Sequence, residues 1–246
     1  MLEALRARIA GLERRGSARR ARVLPFGSPA INAQLPGGGL ALGCLHEVAG
    51  AGPEVEHGAA AALLIAGLLA RSSGCVLWAV ERQDLFAPAL AGVGLHPDRI
   101  IFAEAGPSVL LVMEEGLQHP GLAGVVGEIG GRLGLTASRR LQIAAEASGV
   151  VALALRRSRR FDNPALVEPT AAATRWRVAC LPSPPPLAHA PETPGLGRAR
   201  WRLDLIRCRG GEPGTWVVEA CDAQGRLALA ADVQHRPAAP ARRRLG

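Results

Sequence analysis

Residues 43–70 read GCLHEVAGAGPEVEHGAAAALLIAGLLA, and this stretch decides the fold. Its first eight residues are strand-like, a short loop with glycines follows, and the segment from His57 to Ala70 is apolar and helix-like. A strand that runs through a glycine loop into a helix is the architecture of a phosphate-binding loop, because backbone N–H groups and the helix N-terminus attract phosphate oxygens. The stretch therefore stands where a nucleotide loop belongs in an α/β domain.

The loop lacks the side chains that phosphate chemistry requires. A working loop follows the pattern GxxxxGK with Ser or Thr next, so that the lysine reaches the terminal phosphates and the hydroxyl holds magnesium. Here five residues, one more than in the motif, lie between Gly52 and Gly58, and alanines stand where the lysine and the hydroxyl residue belong. Glu54 and Glu56 would also repel phosphate. We therefore predict that Gly52, Pro53, Glu54 and Gly58 form a structural loop in which the phosphate chemistry is lost.

The composition also argues against phosphate binding by this loop. All 29 basic residues are arginine, and the sequence contains no lysine. A lysine Schiff base and a phosphate-gripping lysine are therefore impossible anywhere in it. Ala, Gly, Arg and Pro are all abundant, which indicates a compositional bias, so the formal net charge of +8 is weak evidence for nucleic-acid binding by itself.

Downstream of the loop, apolar strand-like runs alternate with helix-like segments. The strand-like runs are CVLWAV, RIIFAE, LAGVVGEI and VVALALR, and helices are predicted at 85–92, 108–118 and 136–147. Such alternation with near-continuous apolar strands indicates a parallel sheet covered on both faces. The later runs TRWRVACL, RARWRLDLIRCR, TWVVEACDA and RLALAADV are separated by turn-rich links. The predicted fold class is α/β, a mostly parallel sheet flanked by helices with antiparallel strands added at its C-terminal end.

The chain divides into one globular domain and two arms. Residues 1–22 place apolar residues at three- and four-residue steps, which predicts a basic amphipathic helix that either packs on the domain or docks a partner protein. Residues 23–235 are predicted to form the domain, with a proline-rich solvent loop at 182–197. Residues 236–246 predict a disordered, arginine-rich tail.

Several classes of site are unlikely on sequence grounds. The five cysteines are widely spaced without a CxxC pair, and the six histidines show no metal-ligand spacing. The N-terminus lacks the apolar core of a signal peptide, and the longest apolar stretch, 59–70, is about half of the roughly 20 residues that a membrane helix needs. We expect a cytoplasmic protein with reduced thiols, no metal, no cofactor and no membrane contact.

Two arginine groups and one glutamate are further candidate site residues. They are Arg156, Arg157, Arg159 and Arg160 directly after the strand VVALAL, Arg242, Arg243 and Arg244 in the tail, and Glu81 after CVLWAV. Arginine clusters can neutralise nucleic-acid phosphates, and the alternatives are a solvated loop or a protein-binding patch. Glu81 stands at a strand end, where a general base can act, or it has a structural, salt-bridging role.

The segments in order resemble RecA-type recombinases. LPGGGLALGCLHEVAGAGPE is similar to the segment that enters their nucleotide site, and VLWAVERQDLFAPAL resembles their second core strand. The resemblance sets Glu81 at the position of the water-activating glutamate. LAGVVGEI resembles the strand that ends in a magnesium-associated aspartate, but Gly127 and Glu128 stand at its end.

A closer resemblance is to the ImuA family, RecA-like proteins of bacterial damage-induced mutagenesis cassettes that lack an intact P-loop. It rests on the degenerate loop, on LTASRRLQIAAEASGVVALALRRSRR and on the RCRGG hairpin, and it spans roughly residues 22 to 236. The family implies a partnership with an inactive Y-family polymerase homologue (ImuB-type) and an error-prone C-family polymerase in translesion synthesis. RecA and single-stranded DNA are further candidate partners.

The sequence thus predicts a non-catalytic accessory protein of the SOS response that recruits polymerase components. Two alternatives stay open. One is a divergent RecA-type ATPase that binds nucleotide through the loop backbone and uses Glu81. The other is a SulA-like cell-division inhibitor of the damage response, a class that also has a RecA-like appearance.

Overall fold

A nine-stranded sheet forms the frame of the computed structural model, which describes residues 22–159, 163–187 and 189–230. The strands are β1 (Val23–Leu24), β2 (Leu40–Ala41), β3 (Leu45–Gly50), β4 (Val76–Val80), β5 (Ile100–Glu104), β6 (Gly124–Ile129), β7 (Val151–Arg156), β8 (Thr174–Leu181), β9 (Arg200–Cys208), β10 (Gly214–Glu219) and β11 (Ala228–Leu229). The helices are α1 (Pro29–Gln34), α2 (Glu54–Ala70), α3 (Pro88–Ala91), α4 (Val109–Gly116) and α5 (Leu135–Ser148). Strands β1 and β2 form a separate antiparallel pair.

The parallel half of the sheet has the strand order β8-β3-β7-β6-β4-β5. Strands β3, β6 and β7 are buried along their whole length, as expected for apolar strands with helices on both faces. Helix α2 covers one face with Leu64, Ile65 and Leu68, and helices α4 and α5 cover the other. The carboxyl ends of β3, β4, β6 and β7 therefore meet at one edge, where α/β proteins place their sites.

The last three strands, β9, β10 and β11, extend this sheet from β8 in antiparallel fashion. In β8 and β9 every second side chain points to the α2 side, and there Trp176 and Trp201 are buried. Trp176 stacks on Phe26 with ring centroids 4.3 Å apart. The alternate residues, among them Arg177 and Arg202, lie on the opposite face. The predicted fold class, a mostly parallel sheet with antiparallel strands at its C-terminal end, is confirmed.

Some predicted boundaries were wrong. Helix α2 begins at Glu54 and not at His57, because Pro53 already stands at its N-cap and the next residues complete the first turn. The strand predicted in RLALAADV is limited to Ala228–Leu229 within the described residues. Between residues 182 and 197 the structure has no helix or strand, with residue 188 outside the description.

The predictions for the two arms fall on residues beyond the described part of the chain. Of the predicted helix at 1–22, only Arg22 is described, and the tail at 236–246 is not. No helix in the described residues is long and apolar enough to cross a membrane.

Candidate functional site

The connection from β3 to α2 is only three residues long, Ala51 to Pro53, and the N–H groups at its start and directly after it are already engaged. The Ala51 N–H donates to the Val178 carbonyl at 2.9 Å, and the Glu54 N–H donates to the Ser158 carbonyl at 2.7 Å. Phosphate binding at a helix N-terminus depends on unpaired N–H groups that converge on the ligand. This connection therefore offers few of the donors that a phosphate cradle uses.

An arginine with three carboxylates lies where those phosphates would sit. The Arg157 Nε donates to Glu54 at 3.1 Å, and its Nη1 donates to Asp84 and to Glu128, each at 2.6 Å. Its Nη2 donates to the second Asp84 oxygen at 3.1 Å. We call Arg157, Glu54, Asp84 and Glu128 the Arg157 cluster. The cluster joins the start of α2 to strand β6 and to the segments that follow β4 and β7.

The most buried member of the cluster is Glu128, at 3% exposure. Its Oε1 accepts a hydrogen bond from the Trp78 Nε1–H at 2.8 Å. Burial raises the pKa of Glu128, although the Trp78 bond and the Arg157 charge oppose the rise. The Arg157 hydrogen bonds hold the pKa of Asp84 below its usual value. Burial lowers the pKa of Arg157 itself, but its bonds to Asp84 and the Glu128 charge outweigh burial and raise it.

A cavity of about 270 Å³ adjoins the cluster, between α2 and the segment before α3. Gly58, Ala59 and Ala62 line its α2 side, and Leu85 and Phe86 line the opposite side. Ligand pockets commonly measure about 300–1,000 Å³, so this cavity is small for a nucleotide. Its walls are mainly apolar, and of its two arginines Arg156 is buried against Glu47 and Arg157 is already bound to carboxylates. The cavity thus lacks a free positive group for a triphosphate.

Glu81 is exposed and directly follows β4. It lines a neighbouring cleft together with Arg82, Gly130 and Asn163. Its position at the carboxyl end of a parallel strand is the one that the sequence predicts. No metal-binding group of three or more His, Cys, Asp or Glu residues occurs among the described residues.

The structure separates the described arginines at the end of β7 and directly after it. Arg156 is only 3% exposed, and its Nη1 donates to Glu47 at 3.2 Å in the interior. Its Nη2 donates to the carbonyls of Gly131 and Ala165 at 3.0 and 3.3 Å. Burial lowers the pKa of this guanidinium, and the Glu47 charge opposes that effect. A phosphate cannot reach Arg156, so the prediction that it lies open at the sheet edge was wrong.

The other predicted arginines differ in how accessible their guanidinium groups are to a ligand. Arg157 belongs to the cluster described above, whereas the Arg159 side chain is 76% exposed, with its Nε 3.5 Å from Glu54. Arg160 and the tail residues Arg242, Arg243 and Arg244 lie outside the described residues. Nucleic-acid binding by Arg159, Arg160 and the tail stays a prediction.

Sequence reasoning missed the acidic partners of these arginines. Glu47 and Glu128 each stand inside an otherwise apolar strand, and Asp84 follows β4. A carboxylate in an apolar run is a signal that a buried cation lies nearby, because an unpaired buried charge is very costly. The sequence does carry that signal, in LHEVAG and GVVGEI.

Comparisons with known proteins agree with this architecture. No family model matches the chain. Protein ImuA of Caulobacter vibrioides strain NA1000 / CB15N is 45% identical over 211 residues, which cover 82% of this chain and 84% of that protein. Protein ImuA of C. vibrioides strain ATCC 19089 / CIP 103742 / CB 15 gives the same values.

Among solved structures, the crystal structure of the RadB recombinase matches with a TM-score of 0.58 at 19% identity. The match covers 85% of this chain and 100% of that one. It shows that the fold is RecA-like, as the sequence predicts. The identity and coverage of the Caulobacter relatives show in addition that the chain belongs to the ImuA family.

Proposed function

We propose that this protein is a non-catalytic, RecA-like accessory factor of damage-induced mutagenesis and translesion DNA synthesis. The observation that carries the proposal is the Arg157 cluster at the carboxyl edge of the parallel strands. There, Arg157 is bound to Glu54, Asp84 and Glu128 at distances of 2.6 to 3.1 Å. An anionic nucleotide would have to displace three carboxylates from their common cation and then lie beside them.

The remaining groups in the cleft also argue against ATP hydrolysis. Glu81 has the chemistry of a general base, but a base activates water usefully only when a phosphate is held next to it. The chain has no lysine to hold one, and the Glu54 amide is bonded to Ser158. We therefore assign Glu81 a structural or surface role.

The partners are inferred from the family. ImuA relatives and the sequence resemblance support assembly with an inactive Y-family polymerase homologue and an error-prone C-family polymerase, with RecA as a further candidate. In this proposal the protein acts by recruitment, and the RecA-like domain supplies binding surfaces in place of chemistry.

Two measurements test the proposal. Titration of the purified protein with a fluorescent ATP analogue and magnesium should give no saturable binding up to millimolar concentrations. In cells that lack the gene, the wild-type protein and Glu81→Gln should restore damage-induced mutation to equal extents. Saturable ATP binding, or loss of complementation in Glu81→Gln, would support the ATPase alternative. Cell filamentation on expression without any change in mutation frequency would instead support a cell-division inhibitor.

A further inference from the structure

One face of strand β9 carries several arginines, with Asp204 among them. The inward residues Trp201, Leu203 and Leu205 are buried in the core. A bulge opposite Arg175 and Trp176 shifts the alternation near the end of the strand. We name the outward set the β9 arginine stripe, which consists of Arg200, Arg202 and Arg207 on β9, Arg209 directly after it, and Arg177 on the adjacent strand β8.

The stripe lies on a part of the sheet that faces outward. On this face of the sheet, α4 and α5 pack against the parallel strands β3, β4, β6 and β7. Beyond them, Arg202 is exposed, and so are its neighbours Thr215 and Val217 on β10. Together with the exposed Arg207 and Arg209 and the half-buried Arg177 and Arg200, Arg202 forms a row of positive charge that Asp204 interrupts.

Most of this charge is not neutralised by the protein. Among the described residues, Arg202 is the one stripe member with an ion pair, to Asp204 at 3.1 Å. Arg207 and Arg209 donate to the carbonyls of Thr170 and Ala171 at 2.9 and 2.8 Å. Those bonds orient the two guanidinium groups but leave their charge in place. Next to the stripe, Arg198 and Glu219 neutralise each other at 3.2 Å.

We propose that the β9 arginine stripe binds the phosphate backbone of single-stranded DNA. A row of cations along one extended strand matches one polyanionic backbone, and guanidinium groups pair with phosphate in a bidentate manner. Trp176 and Trp201 are buried, and Trp216 lies opposite the inward residue Leu203, so these rings cannot stack on bases at the stripe, and we expect binding without sequence preference. The inference rests on the proposed function and deepens it by naming a surface and a partner.

The stripe is a better candidate than the arginines after β7. Arg156 is buried against Glu47, and Arg157 has three carboxylate partners. Their charges are thus neutralised internally, whereas Arg177 and Arg200 have no acidic partner among the described residues. Counterion release requires cations that a phosphate can reach, and the stripe supplies them.

The test compares two double variants of the full-length chain with the same loss of charge. Arg177→Gln with Arg202→Gln removes two stripe charges and keeps the aliphatic stems. Arg82→Gln with Arg139→Gln removes two exposed charges elsewhere. Binding of a fluorescent oligo-dT is measured by anisotropy across a salt series. The stripe variant should bind roughly tenfold more weakly at low salt, and its salt slope should fall by about 1.4. The control should stay within about twofold of wild type.

A variant that removes a negative charge, and should therefore strengthen DNA binding, gives an independent check. Asp204→Asn removes the carboxylate within the stripe but can still accept the Thr215 hydroxyl hydrogen bond, which is 2.9 Å long in the structure. It should bind oligo-dT a few-fold more tightly.

Several results would overturn the inference: equal losses in both double variants, no oligo-dT binding at low salt, tighter binding of a duplex, or equal displacement by polyglutamate. None of these would affect the ATP and mutation tests of the proposed function, so the two can fail separately.

Discussion

The buried carboxylate of Glu128 determines how much stability the protein would lose without Arg157. Its carboxylate is buried and keeps only the Trp78 hydrogen bond when the guanidinium is removed. We expect Arg157→Gln to lower the free energy of unfolding by roughly 3 kcal/mol at pH 8, because it leaves a buried charge without its cation. Urea unfolding measures this effect, with Arg82→Gln, an exposed arginine, as the control that should change little.

The loss of stability that Arg157→Gln causes should depend on pH. Burial raises the pKa of Glu128 in the folded state, so the folded protein binds this proton more tightly than the unfolded chain does. Loss of the Arg157 charge raises that pKa further. Lowering the pH from 8 to 5 then favours the protonated, neutral form of Glu128 over the unpaired charge, so the deficit shrinks. A deficit of the same size at pH 8 and pH 5 would contradict this account.

His46 gives a second dependence of stability on pH, and in this case the protein loses stability as the pH falls. Its Nε2–H donates to the Ala41 carbonyl at 2.9 Å, and its Nδ1 accepts from the Thr174 hydroxyl at 2.8 Å, so the neutral ring satisfies both partners. Burial lowers its pKa from 6.5 to about 4. The unfolded chain therefore takes up this proton first as the pH falls below 6.5.

Stability should accordingly be lost between pH 6.5 and pH 4, by roughly 3 kcal/mol for this one group. Urea unfolding at half-unit pH steps measures the loss. His46→Gln should be less stable at pH 7 and should show a flatter pH dependence over the same interval. An unchanged slope in that variant would assign the acid sensitivity to other groups.

At the scale of elements, the connection between β3 and α2 explains why one restored residue would not restore nucleotide binding. Ala59→Lys places a lysine at the position that the motif assigns to it, and Ala59 is exposed, so the fold should tolerate the change. We expect no gain of ATP binding, because the Ala51 and Glu54 amides remain bonded and Arg157 keeps its carboxylates. Titration with a fluorescent ATP analogue checks this, and saturable binding below about 1 mM would show that the lysine alone was missing.

The elements differ in how far the sequence could predict them. TRWRVACL alternates buried and half-buried residues from Thr174 to Val178, and the predicted run coincides with β8. The start of α2 was misplaced by three residues because glycine and glutamate at the loop masked a helix that begins directly after Pro53. The local sequence pattern predicts well whether a segment is a strand or a helix, but it predicts the first turn of a helix poorly.

The candidate site was harder to predict than the fold. Arg156 ends the apolar run of β7, and nothing local distinguishes it from Arg157 or Arg159. What separates them is the neighbouring strand, since the side chain of Arg156 meets Glu47 on β3, a residue 109 positions away. The alternation of the β9 arginine stripe is visible in the sequence, but the absence of an acidic partner for Arg177 and Arg200 among the described residues depends on which strands become neighbours. Charge pairing across a sheet is a tertiary property.

At the scale of the whole molecule, the antiparallel extension and the parallel half share one core. The cluster on the α2 side contains Val76 and Val126 from the parallel strands together with Trp201, Leu203 and Val218 from the extension. Two regions that bury the same apolar surface should lose it together. We therefore expect a single unfolding transition for the described domain.

The four tryptophans allow a direct test of this expectation. Trp78 lies on β4 and Trp176 on β8, the strand that borders the extension, whereas Trp201 and Trp216 lie on β9 and β10 of the extension itself. In Trp78→Phe, tryptophan fluorescence reports β8 and the extension, while far-UV circular dichroism follows the helices, most of which pack on the parallel strands. The variant should be less stable because Glu128 loses its N–H donor, but its two urea midpoints should coincide. An earlier fluorescence midpoint would show that the extension, and the arginine stripe with it, unfolds as a separate unit.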